Sequence, residues 1–283
     1  MCKQHAIFTA CDGRYGTFLL EHWLVSLQRH VDLSNIDVHV LDYGLTASQR
    51  ASLVSHDVTC HACVKDAHVA NIRHRDLSAV LEHLKYEQVL LVDCGDVVFQ
   101  ADISGVFAQD EQHFRAVCEE RAVAFHEFFM KRGDFHPQVY RKLLESLHGK
   151  PAINAGVIFG PAQRFRSLWH AIRDLTVGLE YLGTDQFVIN HVLHRDGFRR
   201  LESKYNYVLL CMRSRCRIRN GVFHDADGQP IPIVHNAGMN RFAKQIRDFG
   251  YGPRRNRRKW FAPVITWLVI QSVRGWRWLR QAC

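Results

Sequence analysis

Two carboxylates stand three positions apart in VLLVDCGDVVFQ (89–100), where Asp93 closes an apolar run and Asp96 follows it. A run of this kind reads as a central strand buried on both faces. In open α/β sheets, ligands gather beyond the carboxyl ends of such strands. Side chains three apart on a strict strand point to opposite faces, so the chain must turn between them. Gly95 is the residue expected to make that turn, through a positive φ. Two hard oxygen donors facing one point suit Mg²⁺ or Mn²⁺, which would in turn hold a diphosphate. The competing reading is a polar turn in which either aspartate caps the next segment.

Three further segments carry chemistry. In IPIVHNAGMNR (231–241) a strand delivers His235 to a loop that holds Gly238 and, six residues beyond the histidine, Arg241. An imidazole there could complete a metal shell and a guanidinium could grip phosphate with two parallel hydrogen bonds. A histidine at a strand end is also an ordinary structural residue. INAGVIFG (153–160) sets Asn154 just before a strand with two small residues, where backbone and ligand can approach closely. In GTDQF (183–187), Thr184 reads as a helix N-cap and Asp185 as the first-turn acid that complements the dipole, which leaves Gln186 without a structural task.

The elements that must position these residues alternate. Apolar strand-like runs at 5–10, 37–41, 88–92, 156–159 and 231–234 are interleaved with helix-period segments at 17–30, 46–55, 77–84, 161–176 and 185–194. This pattern is an α/β fold with a mainly parallel sheet. Residues from about 119 to 150 are less regular.

Charge separates two parts of the chain. The 283 residues carry a formal +9, yet 251–283 hold eight Arg or Lys and no acid, leaving 29 basic against 28 acidic residues before them. A nucleic-acid reader carries its charge on the folded body, so nucleic acid is not expected as a partner. The expected division is a catalytic domain at 1–250 and a tail at 251–283, broken near Gly250-Tyr251-Gly252-Pro253. The apolar run of the tail, 261–270, is interrupted by Pro263 and falls short of the roughly 20 residues that span a bilayer. Four of the six tryptophans, at 260, 267, 276 and 278, lie in this tail among its arginines. It reads as an interfacial helix on anionic lipid through 254–283, or as a terminal helix packed on the body. Nine scattered cysteines and an N-terminus without a signal-peptide pattern point to free cytosolic thiols. Cys60 and Cys63, with His61 between them, lack a second pair at zinc spacing.

The segments IFTACDGRY, VHVLDYGLTASQ, LLVDCGDVVF, INAGVIFG, TDQFVIN with KYNY downstream, and IVHNAGMNR resemble, in order and spacing, glycosyltransferase family eight, which includes glycogenin and bacterial lipooligosaccharide galactosyltransferases. The similarity covers most of residues 5–241. It implies a GT-A fold, a nucleotide-sugar donor (usually UDP-linked) and Mn²⁺ or Mg²⁺. By this resemblance Asp93, Asp96 and His235 would hold the metal, and Thr9, Ala10, Asp12 and Tyr15 would line the nucleoside pocket, with Tyr15 stacked on the base. Asn154 and Asp185 would contact the donor sugar, Gln186 would lie beside the anomeric carbon, and Arg241 with Gly238 would meet the diphosphate. The family usually has one residue between the two aspartates, whereas here Cys94 and Gly95 intervene. Transfer with retention to a glycan or glycolipid such as bacterial surface polysaccharide is implied, by a cytoplasmic protein peripheral on the inner face of the membrane. The rivals are an inverting GT-A enzyme, for which Asp134, Glu119 and Glu120 are candidate bases, and a non-catalytic binding protein.

Overall fold

The computed structural model describes residues 3–120, 132–212, 216–238, 244–261 and, in helical conformation, 264, 267, 268 and 271. Its centre is a seven-stranded mixed sheet in the order β3-β2-β1-β4-β7-β6-β8. The strands are β1 (His5–Cys11), β2 (Ile36–Asp42), β3 (Val58–Ala62), β4 (Gln88–Asp93), β6 (Phe114–Cys118), β7 (Ile153–Pro161) and β8 (Phe198–Arg200). The first four run parallel, and β7 is antiparallel to both β4 and β6. Along β4, Leu90 and Val92 enter one apolar core while Val89 and Leu91 enter the other. Burial on both faces is what the unbroken apolar run requires.

The first core is closed by α1 (16–30), a continuous helical run with a π turn at Leu19–Leu24. The short α2 (Ala47–Val54) begins with a full capping box between Thr46 and Gln49. The second core is covered by α3 (Val69–His83), α4 (Pro137–Leu147), α5 (Ala162–Leu175) and α6 (Thr184–Asp196). A smaller sheet, β5-β12-β9, joins β5 (Val97–Phe99), β12 (Ile233–His235) and β9 (Tyr207–Val208). The chain then forms the hairpin β10 (Arg217–Arg219) and β11 (Val222–His224). A final two-stranded pair, β13 (Ile246–Arg247) with β14 (Arg257–Arg258), is tied to the body by buried Asn256, which bonds Gly250 and Gly221.

Several local expectations change. α3 begins eight residues before the sequence pattern places it, because Asn71, Arg73 and His74 turn inward although they are polar. β7 includes Asn154 rather than starting after it. Gly183, at φ 95°, caps α6, whereas the Thr184 hydroxyl donates to Asp134 Oδ2 at 2.5 Å. Among the described residues all seven cysteines are free thiols, and Cys60 and Cys63 join no cluster of metal-ligating groups.

Candidate active site

Strand register explains why the acidic motif meets the histidine. β4 delivers Asp93 at its carboxyl end, and β5 starts one residue after Asp96. β12 pairs antiparallel with β5 so that His235 faces Val97, and the Asn236 N–H bonds the Asp96 carbonyl at 2.9 Å. β7 runs antiparallel to β4 with Val157 opposite Val92, which brings Asn154 and Gly156 to the same end of the sheet.

The result is a convergence of three ligand groups. His235 Nε2 lies 3.3 Å from Asp96 Oδ1 and 3.6 Å from Asp93 Oδ2, and one ligand atom from each residue falls within 4.8 Å of the others. The remaining oxygens are committed elsewhere: Asp93 Oδ1 to Arg73, and Asp96 Oδ2 to Lys244 Nζ at 2.9 Å. Each carboxylate therefore presents one oxygen to the shared point. Both aspartates reach that point despite the two residues between them. Gly95 achieves this without a positive φ. What it supplies is room: a Cβ there would lie 2.6 Å from the Tyr15 ring. Gly156 is needed for the same reason, since a Cβ would meet His235 Cε1 at 2.4 Å and Asp93 Oδ2 at 2.7 Å. Two hard carboxylate oxygens with one imidazole nitrogen fit Mn²⁺ or Mg²⁺.

The charges are balanced locally. Burial favours a neutral Asp96, but His235 and Lys244 outweigh it and hold the carboxyl down at about 2. Burial likewise opposes the His235 imidazolium, yet Asp96 and then Asp93 raise its pKa. On the far side, Arg73 is nearly enclosed and bridges Asp93, Asp185 Oδ2 (3.3 Å) and the Ala155 carbonyl (3.2 Å). His74 Nε2 stands 3.5 Å from Asp185. Burial works against charge on Asp185, but His74 and Arg73 keep its pKa low. The Asn71 side chain receives the Asp185 N–H at 3.0 Å and fixes the start of α6.

The other sequence candidates fall around this point. Asn154 is buried, with Oδ1 receiving the Gly156 N–H and the Asn206 amide, each at 3.0 Å. Gln186 Oε1 faces the Ala155 N–H at 3.5 Å. Tyr15 is exposed at the rim, packed over Gly95, and Asp12 pairs with Lys65 at 2.7 Å. Ala10 is half-buried at the end of β1, next to a fully buried Thr9 whose hydroxyl is spent on the Val92 carbonyl. Gly238 is half-buried in the loop after β12, and Arg241 lies outside the described residues. Asp134 is committed to the Glu180 and Tyr181 N–H groups and the Thr184 hydroxyl, so it anchors the loop before α6 instead of serving as a base. Arg73, His74, Asn71, Asn206 and Lys244 were not singled out from sequence. Only KYNY, which holds Asn206, gave any signal.

No protein-family model matches the chain, and no curated protein matches it. Solved structures do. The galactosyltransferase LgtC, in complex with donor and acceptor sugar analogs, aligns with a TM-score of 0.54 at 16% identity over 94% of this chain and 95% of that one. The apo glycosyltransferase GlyE of Streptococcus pneumoniae gives 0.56 at 16% identity over 99% of this chain and 64% of its own. The apo bifunctional glycosyltransferase WbbM gives 0.56 at 15% identity over 84% and 46%. The chain thus spans nearly all of LgtC, just under two thirds of GlyE and about half of WbbM. A large, mostly parallel sheet with the acidic motif at the end of its central strand gives this chain the GT-A glycosyltransferase fold.

Proposed function

We propose that the chain transfers a sugar from a nucleotide-sugar donor to a glycan or glycolipid acceptor with the help of a divalent cation. The observation that carries this reading is the meeting of Asp93, Asp96 and His235 beside Asn154, Asp185 and Gln186. Asp93 Oδ2, Asp96 Oδ1 and His235 Nε2 would hold Mn²⁺ or Mg²⁺, which when bound supplies Lewis acidity toward the leaving diphosphate. Tyr15 offers a ring to the base. Asn154 and Asp185 would bind donor hydroxyls and orient the sugar. Gln186 is an amide and a poor base, so its part is to present a dipole to positive charge developing at the anomeric carbon, consistent with retention. LgtC was solved with donor and acceptor sugar analogs, which supports a site with room for both.

The tail is proposed to dock on the anionic inner face of a membrane. Trp260, Val264, Trp267 and Leu268 are exposed, the last three on one helical face. Among the described residues no helix is long and apolar enough to cross a bilayer. Thermal melts with UDP-sugars, with and without Mn²⁺, test the reading. Stabilisation by donor that needs the ion, and is lost in Asp96→Asn, supports it; donor binding indifferent to the ion and to that substitution overturns it.

A further inference from the structure

From His235 inward runs a chain of four buried polar side chains, the imidazole included. His235 Nδ1 lies 3.0 Å from Asn206 Oδ1, Asn206 Nδ2 donates to Asn154 Oδ1 at 3.0 Å, and Asn154 Nδ2 donates to Glu119 Oε1 at 3.4 Å. All four side chains are more than nine-tenths buried. Their strands are distant in sequence: Glu119 follows β6, Asn154 is in β7, Asn206 closes the 3₁₀ turn Ser203–Asn206 before β9, and His235 ends β12.

The direction of this chain is forced at its middle. The Gly156 backbone N–H can only donate, and it points at Asn154 Oδ1 at 3.0 Å. The oxygen of that amide is therefore fixed, and its NH₂ must face the Glu119 carboxylate. The same oxygen receives the Asn206 NH₂, so the Asn206 oxygen must face His235. An oxygen cannot donate, so Nδ1 of His235 must carry the proton. In the neutral ring, Nε2 is then a bare lone pair aimed between the oxygens of Asp96 and Asp93. Such an arrangement is favourable only when a cation or a proton sits among the three. Metal-ligating histidines commonly have their second nitrogen fixed by an outer partner, which sets tautomer and basicity.

We propose that Asn206 is a positioning residue that holds His235 as the Nδ1–H tautomer, with Asn154 and Glu119 fixing the polarity of Asn206 from behind. This inference rests on the cation reading above. Asn206 touches neither donor nor ion; it acts through the imidazole. Gly156 serves twice, supplying the N–H that orients the relay and the missing Cβ that lets His235 approach Asp93.

The test uses the intact chain and Mn²⁺ alone, without substrate, by calorimetry. Asn206→Leu, of similar volume and unable to accept, should weaken Mn²⁺ binding about ten- to a hundredfold. Asn206→Asp keeps an acceptor for Nδ1–H and should bind more tightly than the leucine variant. If the leucine variant does not fold, ¹⁵N NMR of unmodified protein loaded with diamagnetic Mg²⁺ decides. His235 should show a protonated Nδ1 and an unprotonated Nε2. A folded Asn206→Leu that binds Mn²⁺ as tightly as the unmodified chain, or a ring protonated at Nε2 with Nδ1 bare, overturns the relay alone. Unmodified protein that ignores both ions overturns the cation reading as well, so the two failures are distinguishable.

Discussion

Replacing Arg73 by methionine keeps the volume and removes the charge that two acids share. Arg73 is 5% exposed and reaches Asp93, Asp185 and the Ala155 carbonyl. Removing one member of a buried ion pair costs about 3–5 kcal/mol, because a charge is left unpaired. The Asp93 side chain is 32% exposed and partly screened, so the uncompensated charge falls mainly on Asp185, and about 3 kcal/mol is the sounder figure. For a domain of this length a loss of that size lowers the melting temperature by about 5 °C. The pH dependence identifies the cause. In the native protein the Asp185 pKa is depressed, so its contribution is present above the ordinary carboxylate value and lost as pH falls through the folded one. Without Arg73, burial is opposed mainly by His74, which burial itself drives toward its neutral form, so that pKa rises. The deficit should then be largest near pH 7 and shrink toward pH 4.5 as the acid takes up a proton. Calorimetric melts of both proteins across that range would measure it. A deficit under 1 °C at pH 7, or one equal at both ends, would refute the reasoning.

Three other perturbations follow from the same geometry. Burial pushes Glu119 up to about 7 from its ordinary 4.5; the folded chain binds the extra proton, so stability from this group falls as pH rises between those values. Glu119→Gln removes that slope and should melt higher than the unmodified chain at pH 8, by up to about 3 kcal/mol of stability, with near parity at pH 4.5; identical pH profiles would contradict the burial argument. Gly156→Ala should reduce Mn²⁺ affinity, measured by calorimetry, far more than it lowers melting temperature, because the added carbon strikes His235 and Asp93. Gln186→Ala should lower turnover much more than donor affinity in steady-state kinetics, the mark of a group used mainly in the transition state.

Much of this site was legible because its parts sit at sequence-visible places. A buried strand ending in Asp93, with Asp96 just beyond, is written in the apolar run, and the helix start at Thr184–Asp185 is written in TDQF. What stayed hidden was polar and inward. Arg73 and His74 occupy the first turns of α3, where an apolar stripe is the usual signal of a buried face, and Arg73 finds its partner Asp185 112 residues away. Asn206 and Glu119 gain meaning only through β6, β7 and β12, which tertiary pairing alone brings together. The roles of two glycines were misread or missed for a related cause: Gly95 and Gly156 are required for space taken by Tyr15 and by His235, not for a backbone angle.

The central claim, cation-dependent use of a nucleotide-sugar at Asp93, Asp96 and His235, is tested most directly by incubating the full chain with a panel of nucleotide-sugars and measuring release of free nucleoside diphosphate. The account predicts release from at least one donor that requires Mn²⁺ or Mg²⁺, stops with chelator and is absent in Asp96→Asn. Release that persists in excess chelator or in Asp96→Asn, or no release from any donor in the presence of both ions, would contradict it.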